Sequence, residues 1–248
     1  MEPTAVGPNR TGAASAAQEV QLMLEAVQEF SPPQPISTLL LDMERQSYIA
    51  EAESVGSVPS PLSADQRKTP GRAAQSQLMG TFLDKLGERL AFERTGTRLY
   101  DALITKYLAL ENSGNAPATA EGGLEVLRKI RADELNHFHL LTRCIAGLGG
   151  DPTAQTPCAD VAASASIGLM QTITDPRTTF AQSLNTILTA ELTDNAGWEL
   201  LSELAAAADA DDLVAEFSAA LKTEAEHLAT VRSWLESLLL NDAGSPAV

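Results

Sequence analysis

The sequence predicts an all-α protein in which a helical N-terminal extension precedes a four-helix bundle with one long crossover between its second and third helices. Apolar residues recur at the i, i+3, i+4, i+7 spacing of a helix over four long stretches in the last two thirds of the chain. No stretch alternates apolar and polar residues between hairpin turns, so strands are not expected. Two short connections and one long connection join the four helices, which is typical of a bundle with a single crossover.

The N-terminal extension covers residues 1–75 in this prediction. Two helices are expected in it, over 13–30 and 36–52, and a Ser-Pro-Pro sequence ends the first of them. Proline and glycine recur between 54 and 73, a composition typical of a linker. The extension is therefore expected to be separate from the bundle, and it could cover a site entrance, mediate dimerisation or bind a partner.

The bundle is expected over residues 76–240, followed by a flexible tail at 241–248. Its four helices are predicted at 77–111, 121–148, 177–208 and 213–240. Asparagine, serine and glycine end the first helix, and a Gly-Gly pair followed by proline ends the second. The long connection between the second and third helices is expected to carry a short helix at 159–173.

The charge balance excludes several classes of function. The 248 residues contain 17 Lys+Arg and 33 Asp+Glu, which gives a net charge of −16. A nucleic-acid or anionic-membrane partner is therefore not expected, because both require a basic surface. The N-terminus has no apolar signal sequence, no apolar run is long enough to cross a bilayer, and two cysteines cannot build a disulfide framework. These features predict a cytoplasmic protein, which could form a homo-oligomer.

One glutamate interrupts the apolar stripe of each long helix near its middle. The four residues are Glu93, Glu134, Glu191 and Glu224. Burial of an ionised carboxylate costs several kcal/mol unless the group is paired or binds a metal. We expect no buried Lys or Arg beside them, because the stripes contain no matching basic residue. The pattern therefore predicts that the four carboxylates meet at one level of the bundle around cations.

Two of the three histidines strengthen this interpretation. His137 and His227 each follow a core glutamate by three residues, in the sequences Glu134-x-x-His137 and Glu224-x-x-His227. Positions i and i+3 project from one face of a helix, so each pair could hold one metal ion. Two divalent cations would balance the four glutamates. The third histidine, His139, is expected at the surface.

These motifs resemble the ferritin-like di-iron carboxylate superfamily, and rubrerythrin-like proteins in particular, over about 76–240. The resemblance implies a ferritin-like four-helix bundle that binds two Fe ions, with Mn or a mixed Mn/Fe pair as the alternative. It also implies that Glu134 and Glu224 bridge the two metals. The metal ligands that it implies, which are also the expected catalytic residues, are Glu93, Glu134, His137, Glu191, Glu224 and His227.

Three further residues have expected roles around the ligands. The resemblance implies that Asp133 orients His227 by a hydrogen bond, whereas Thr223 takes the equivalent place on the fourth helix. Asp194 is either an extra ligand or a hydrogen-bond acceptor, for which His137 is a candidate partner. Tyr100 lies on the same face as Glu93 and is a core residue, a residue hydrogen-bonded to the site or a redox-active residue.

The resemblance implies an oxidoreductase that reacts with O₂ or H₂O₂ at this centre. Two distant cysteines cannot form a rubredoxin module, so electrons would come from an external donor. No motif identifies an organic substrate. Three alternatives stay open: a dimanganese catalase-like protein, a protein that binds or stores metal without turnover, and a bundle with only a scaffolding role.

Overall fold

The computed structural model describes residues 16–31, 38–53, 56, 58, 72–115, 117 and 122–244. Within these ranges the chain forms seven α-helices and no strand, as predicted. It divides into two units, Met1–Ser54 and Val55–Val248, which are described separately. No helix in the described ranges combines the length and apolar character that a membrane span requires.

The first unit contains the two helices expected in the extension. These are α1 (Ala17–Phe30) and α2 (Leu39–Glu51). The helix α1 ends where it does because Ser31 precedes proline and adopts an extended backbone conformation. Neither helix contains a buried residue. The predicted residues 13–15, 36–37 and most of the predicted linker lie outside the described ranges.

The second unit contains the four predicted bundle helices and a crossover helix. They are α3 (Arg72–Asn112), α4 (Gly123–Gly147), the crossover helix α5 (Pro157–Thr174), α6 (Phe180–Ala207) and α7 (Asp211–Gly244). The predicted bundle with one long crossover is therefore confirmed. The helix α7 continues four residues into the predicted tail, and residues 245–248 lie outside the described ranges.

Local sequence explains why two helices begin later or earlier than predicted. The helix α6 begins three residues after its predicted start because Thr179 and Gln182 form a capping box: Gln182 N–H donates to Thr179 Oγ1 (3.2 Å) and Thr179 N–H to Gln182 Oε1 (2.9 Å). The helix α5 begins two residues early because Thr156 caps it and Pro157 occupies its first turn.

Two helical hairpins form the bundle. The helix α3 packs on α4, and α6 packs on α7, across connections short enough to make each pair antiparallel. The two hairpins meet where α3 contacts α6 and α4 contacts α7, while α5 lies along α3 and α6.

The core consists of two apolar clusters separated along the bundle axis. One cluster includes Leu99, Leu127, Leu184 and Val231, and the other includes Leu86, Leu141, Trp198 and Phe217. Each cluster therefore draws buried side chains from α3, α4, α6 and α7. Along each helix, the predicted glutamate and any motif histidine lie where the buried apolar residues change from one cluster to the other. This arrangement makes a buried polar layer inside an otherwise apolar bundle.

Candidate metal centre

The buried polar layer brings together all six side chains predicted as metal ligands. None of them is more than 8 % exposed, and Glu93 and Glu224 are fully buried. They belong to three overlapping groups, in each of which one ligand atom per residue lies within 4.8 Å of the others. The groups are Glu134, Glu191, Glu224 and His227; Glu93, His137 and Glu224; and Glu93, Glu134, Asp194 and Glu224.

Glu224 occupies the middle of the layer, between the two imidazoles. Its Oε1 lies 2.5 Å from His137 Nδ1, and its Oε2 lies 3.0 Å from His227 Nδ1. Glu134 approaches the same histidine, with 3.6 Å between its Oε1 and His227 Nδ1. Both imidazoles therefore direct Nδ1 at the carboxylates, which is the orientation needed for Nδ1 and the carboxylate oxygens to share a cation.

The outer nitrogens of the two imidazoles have different surroundings. His227 Nε2 lies 3.2 Å from Asp133 Oδ2, so the predicted pairing of these residues is present. A proton on Nε2 leaves the Nδ1 lone pair free for a metal. Asp133 Oδ2 also accepts from Lys129 Nζ at 2.8 Å. His137 instead packs edge-on against Trp198, with ring centroids 5.4 Å apart.

Burial and mutual repulsion disfavour negative charge on three of the carboxyl groups. Burial raises the pKa of Glu93 and Glu134 well above the ordinary value, and neighbouring carboxylates raise both further. Burial, followed by the charge of Glu224, raises the pKa of Glu191 to about 8. Without a cation, the layer is therefore expected to retain protons at neutral pH.

Glu224 and His227 form a charged pair within this layer. Burial opposes the charge of Glu224, but its contacts with His137 and His227 outweigh burial and hold the pKa of Glu224 at about 2. Burial likewise opposes the charge of His227, and the adjacent Glu224 raises the pKa of His227 to about 9. A proton on His227 thus occupies a place that a cation could take.

Several atoms of the layer that could bind a metal are buried and make no well-aligned hydrogen bond. They are both carboxylate oxygens of Glu93, Glu191 Oε2, Asp194 Oδ1, Glu224 Oε1 and His137 Nδ1. Four of them lie within 3.2 Å of Arg89 or of each other, whereas Glu93 Oε2 and Glu191 Oε2 have no such contact. A buried polar atom without a partner costs about 1–3 kcal/mol, so these two oxygens call for a ligand. Carboxylate oxygens with imidazole nitrogens suit iron, manganese and zinc. The residues therefore fit a pair of transition-metal ions.

The expectation that no buried basic residue accompanies the glutamates is wrong. Arg89 is 4 % exposed and lies on α3, one turn before Glu93. Its Nε lies 3.2 Å from Glu93 Oε1, and its Nη2 lies 3.0 Å from Asp194 Oδ1. Its Nη1 donates to the main-chain oxygen of Asp194 at 3.2 Å. The i, i+4 spacing from Glu93 could have indicated this residue.

Asp194 has a different partner from the one suggested by the sequence. It is buried beside the predicted ligands, and its carboxylate pairs with Arg89, whereas His137 was the candidate partner. Burial raises the pKa of Asp194 to about 6, although Arg89 opposes the shift. One Asp194 oxygen still lies within ligand distance of Glu93, Glu134 and Glu224, so its geometry also suits a metal ligand.

Tyr100 is both a core residue and a hydrogen-bond donor to the layer. Its side chain is 2 % exposed, and its hydroxyl donates to Glu191 Oε1. Burial and the charge of Glu191 raise the pKa of Tyr100 well above its usual value, so this hydroxyl keeps its proton. Tyr100 therefore fixes one oxygen of Glu191 and leaves Oε2 free.

Two glycines that the sequence did not single out make room for the layer. A Cβ at Gly96 would overlap Glu134 Oε2, and a Cβ at Gly197 would overlap Arg89 Nη1. Both glycines lie inside long helices, where glycine is unfavourable by roughly 0.5–1 kcal/mol relative to alanine. Their presence is explained by the space that the two charged side chains require.

The fold and the layer define a helical-bundle protein with a buried carboxylate and histidine cluster compatible with two metal ions. A family model described as a ferritin-like domain matches residues 84–237, which include every residue of that cluster. The chain therefore belongs to the ferritin-like family, and the predicted superfamily and ferritin-like bundle are confirmed. Searches of curated proteins and of solved structures gave no significant match.

Proposed function

We propose that the chain is a di-iron oxidoreductase that reacts with O₂ or H₂O₂ at the buried polar layer. The observation that carries the proposal is the set of buried carboxylates and imidazoles from all four bundle helices, whose ligand atoms lie within 4.8 Å of one another in three overlapping groups. Such a set is costly in a core without cations and favourable with them. Two iron ions would supply the electrons needed for the reduction of O₂ or peroxide.

The ligand roles follow from the contacts of each side chain. Glu224 lies between both histidines, and Glu134 approaches His227, so these two glutamates would help to hold both ions. Glu93 and Glu191 would each serve one ion from α3 and α6. The charges balance, since five buried carboxylates and Arg89 sum to −4 and two divalent ions supply +4.

The burial of the layer favours a small oxidant. The side chain of His137 is 10 % exposed, whereas those of Glu93 and Glu224 are fully buried. Neither cysteine lies in any of the three ligand groups. We therefore propose that an external donor supplies electrons, while the identity of any organic substrate is left open by the site.

Metal analysis tests the proposed site directly. Protein purified without chelators, or reconstituted anaerobically with Fe(II), should retain about two Fe per chain. Glu134→Ala should abolish metal retention and keep the helical circular dichroism signal, because the apolar clusters stay intact. Glu125→Ala is the matched control, since Glu125 is on the same helix and its side chain is 73 % exposed. Wild-type protein that retains no stoichiometric transition metal would remove the proposal.

Oxidant consumption then tests turnover. After anaerobic Fe(II) loading, the protein should consume O₂ or H₂O₂ over repeated cycles when a chemical reductant is present. A single stoichiometric oxidation without further cycles would instead indicate metal binding or storage. Two retained Mn with O₂ release from H₂O₂ would indicate a catalase-like protein. Either result would overturn the proposed activity and leave the proposed metal site standing.

A further inference from the structure

Arg89 is a fixed cation inside the buried polar layer. Its guanidinium lies within 3.2 Å of carboxylate oxygens on two helices, Glu93 on α3 and Asp194 on α6. Arginine cannot lose its proton in a protein interior, so this positive charge is permanent. Gly197 shows that the position is built for the side chain, because a Cβ there would overlap Nη1.

We propose that Arg89 is a positioning residue that withdraws Asp194 from metal binding and thereby limits the layer to two divalent ions. This inference rests on the proposed metal site. Asp194 lies within ligand distance of three glutamates, and its Oδ1 lies 3.0 Å from Arg89 Nη2. With Arg89 present, four negative charges are left for metals. Without Arg89, five negative charges are left. Asp194 then becomes available as an additional ligand and can help to hold a further cation.

The main-chain contact strengthens the assignment of Arg89 to Asp194. Nη1 donates to the Asp194 carbonyl oxygen at 3.2 Å while Nη2 contacts its carboxylate at 3.0 Å. Two contacts to one residue hold the planar guanidinium in one orientation. The pairing therefore fixes α3 against α6 beside Glu93, and a lysine could reproduce its charge but not this geometry.

A double-mutant cycle with Mn(II) as the probe tests the proposal. Calorimetric titration of metal-free protein should give two ions for wild type. Arg89→Met should bind the first two ions about tenfold tighter or more, because a positive charge is removed from a low-dielectric site, and should take up a third ion. Asp194→Asn should weaken binding by a similar factor at unchanged stoichiometry. The double variant should return to two ions with wild-type affinity.

Two further variants separate this role from simple packing. Arg89→Lys keeps the charge and should keep the stoichiometry at two. Gly197→Ala keeps every charge but displaces the guanidinium, so it should shift binding in the direction of Arg89→Met. Gly80→Ala on α3 is the control, because a Cβ there meets no atom within 4 Å. If Arg89→Met fails to fold, the double variant and Gly197→Ala still decide the question.

The possible outcomes distinguish this inference from the proposed function. Wild type that binds no Mn(II), Fe(II) or Co(II) removes the metal site and with it both proposals. Wild type with two ions, together with Arg89→Met that binds two ions at unchanged affinity, overturns only the role of Arg89. A third ion bound by the double variant also overturns it, because the Asp194 carboxylate is then not the group that holds the additional ion.

Discussion

The two Glu-x-x-His motifs have the same spacing but lie in different surroundings. On α7, the outer nitrogen of His227 contacts the Asp133 carboxylate, and the side chain is 2 % exposed. On α4, the side chain of His137 is 10 % exposed and lines a groove between α4 and α7. The other groove residues are Asn136, Leu140, Arg143, Glu216, Ala219, Ala220 and Thr223.

The residue that precedes the glutamate of each motif explains the difference between the motifs. The residue before Glu134 is Asp133, which reaches across to His227. The residue before Glu224 is Thr223, whose hydroxyl donates back to the Ala219 carbonyl oxygen at 3.3 Å. A charged hydrogen bond thus orients one imidazole, and aromatic packing against Trp198 orients the other. We expect the His227 half of the centre to be rigid and the His137 half to be open to small molecules.

The largest effect is expected from the residue that the two halves share. Glu224→Gln removes a charge that contacts both imidazoles, so both metal ions should be lost together, with at least a hundredfold weaker binding on the scale of about 1.4 kcal/mol per tenfold. Glu236→Gln on the same helix is the exposed control. Loss of one ion only, measured by metal analysis after gel filtration, would contradict a shared role for Glu224.

A steric change should disturb the His227 half first. Gly96→Ala places a Cβ against Glu134 Oε2, and Glu134 is the carboxylate beside His227. Overpacking in a core costs about 1–3 kcal/mol, so we expect a lower thermal midpoint and weaker binding of one ion. Gly80→Ala, with open space at its Cβ, should be neutral or stabilising. Equal behaviour of the two variants would show that Glu134 moves aside freely.

A pair of substitutions exchanges the surroundings of the two histidines. Asp133→Asn should weaken metal binding at the His227 half by about 10–100-fold, the usual cost of losing a partner of a metal-bound histidine. Thr223→Asp places a carboxylate at the matching position beside His137 and should strengthen binding there. Stepwise Mn(II) titrations measure both effects. Affinities unchanged in both variants would mean that these positions do not orient the imidazoles.

The metal-free protein should lose stability as the pH rises from about 5 to 8. The pKa of Glu93 and Glu134 is raised in the folded protein, and that of Glu191 is raised to about 8, so the folded chain binds more protons than the unfolded chain in this range. His227, with its pKa raised to about 9, acts in the same direction above its ordinary pKa. Glu224 acts oppositely, but only under acidic conditions.

Thermal midpoints measured by circular dichroism across this pH range test the expectation. Metal-bound protein should show a weaker or reversed trend, because metal ions replace the protons. A midpoint that rises between pH 5 and 8 in the metal-free protein would indicate that the carboxylates are not repelling one another.

The smallest expected effect is a difference in chemical labelling. Diethyl pyrocarbonate should modify the exposed His139 first, then His137, and His227 last. Mass spectrometry of peptides from metal-free protein gives the order. In the Asp133→Asn variant, His227 should react faster than it does in wild type. If His227 reacts faster than His137 in wild type, the His137 half is not the more open of the two.

The sequence was sufficient to predict the bundle and the layer because both depend on periodicity within single helices. Glu93, Glu134, Glu191 and Glu224 interrupt apolar stripes at one level, and the structure places them there together. What the sequence did not reveal depends on contacts between helices. Arg89 pairs with Asp194 across 105 positions of the chain, and the space at Gly96 and Gly197 is defined by side chains of other elements.

The two apolar clusters on either side of the buried polar layer can hold the bundle together without a contribution from that layer. Each cluster joins all four bundle helices by itself, so neither depends on the charged layer for its packing. Release of metal should then be a local event, visible as faster amide hydrogen exchange near Glu134 and Glu191 while amides beside the clusters stay protected. The bundle would thus act as a rigid frame that exchanges its ions without unfolding.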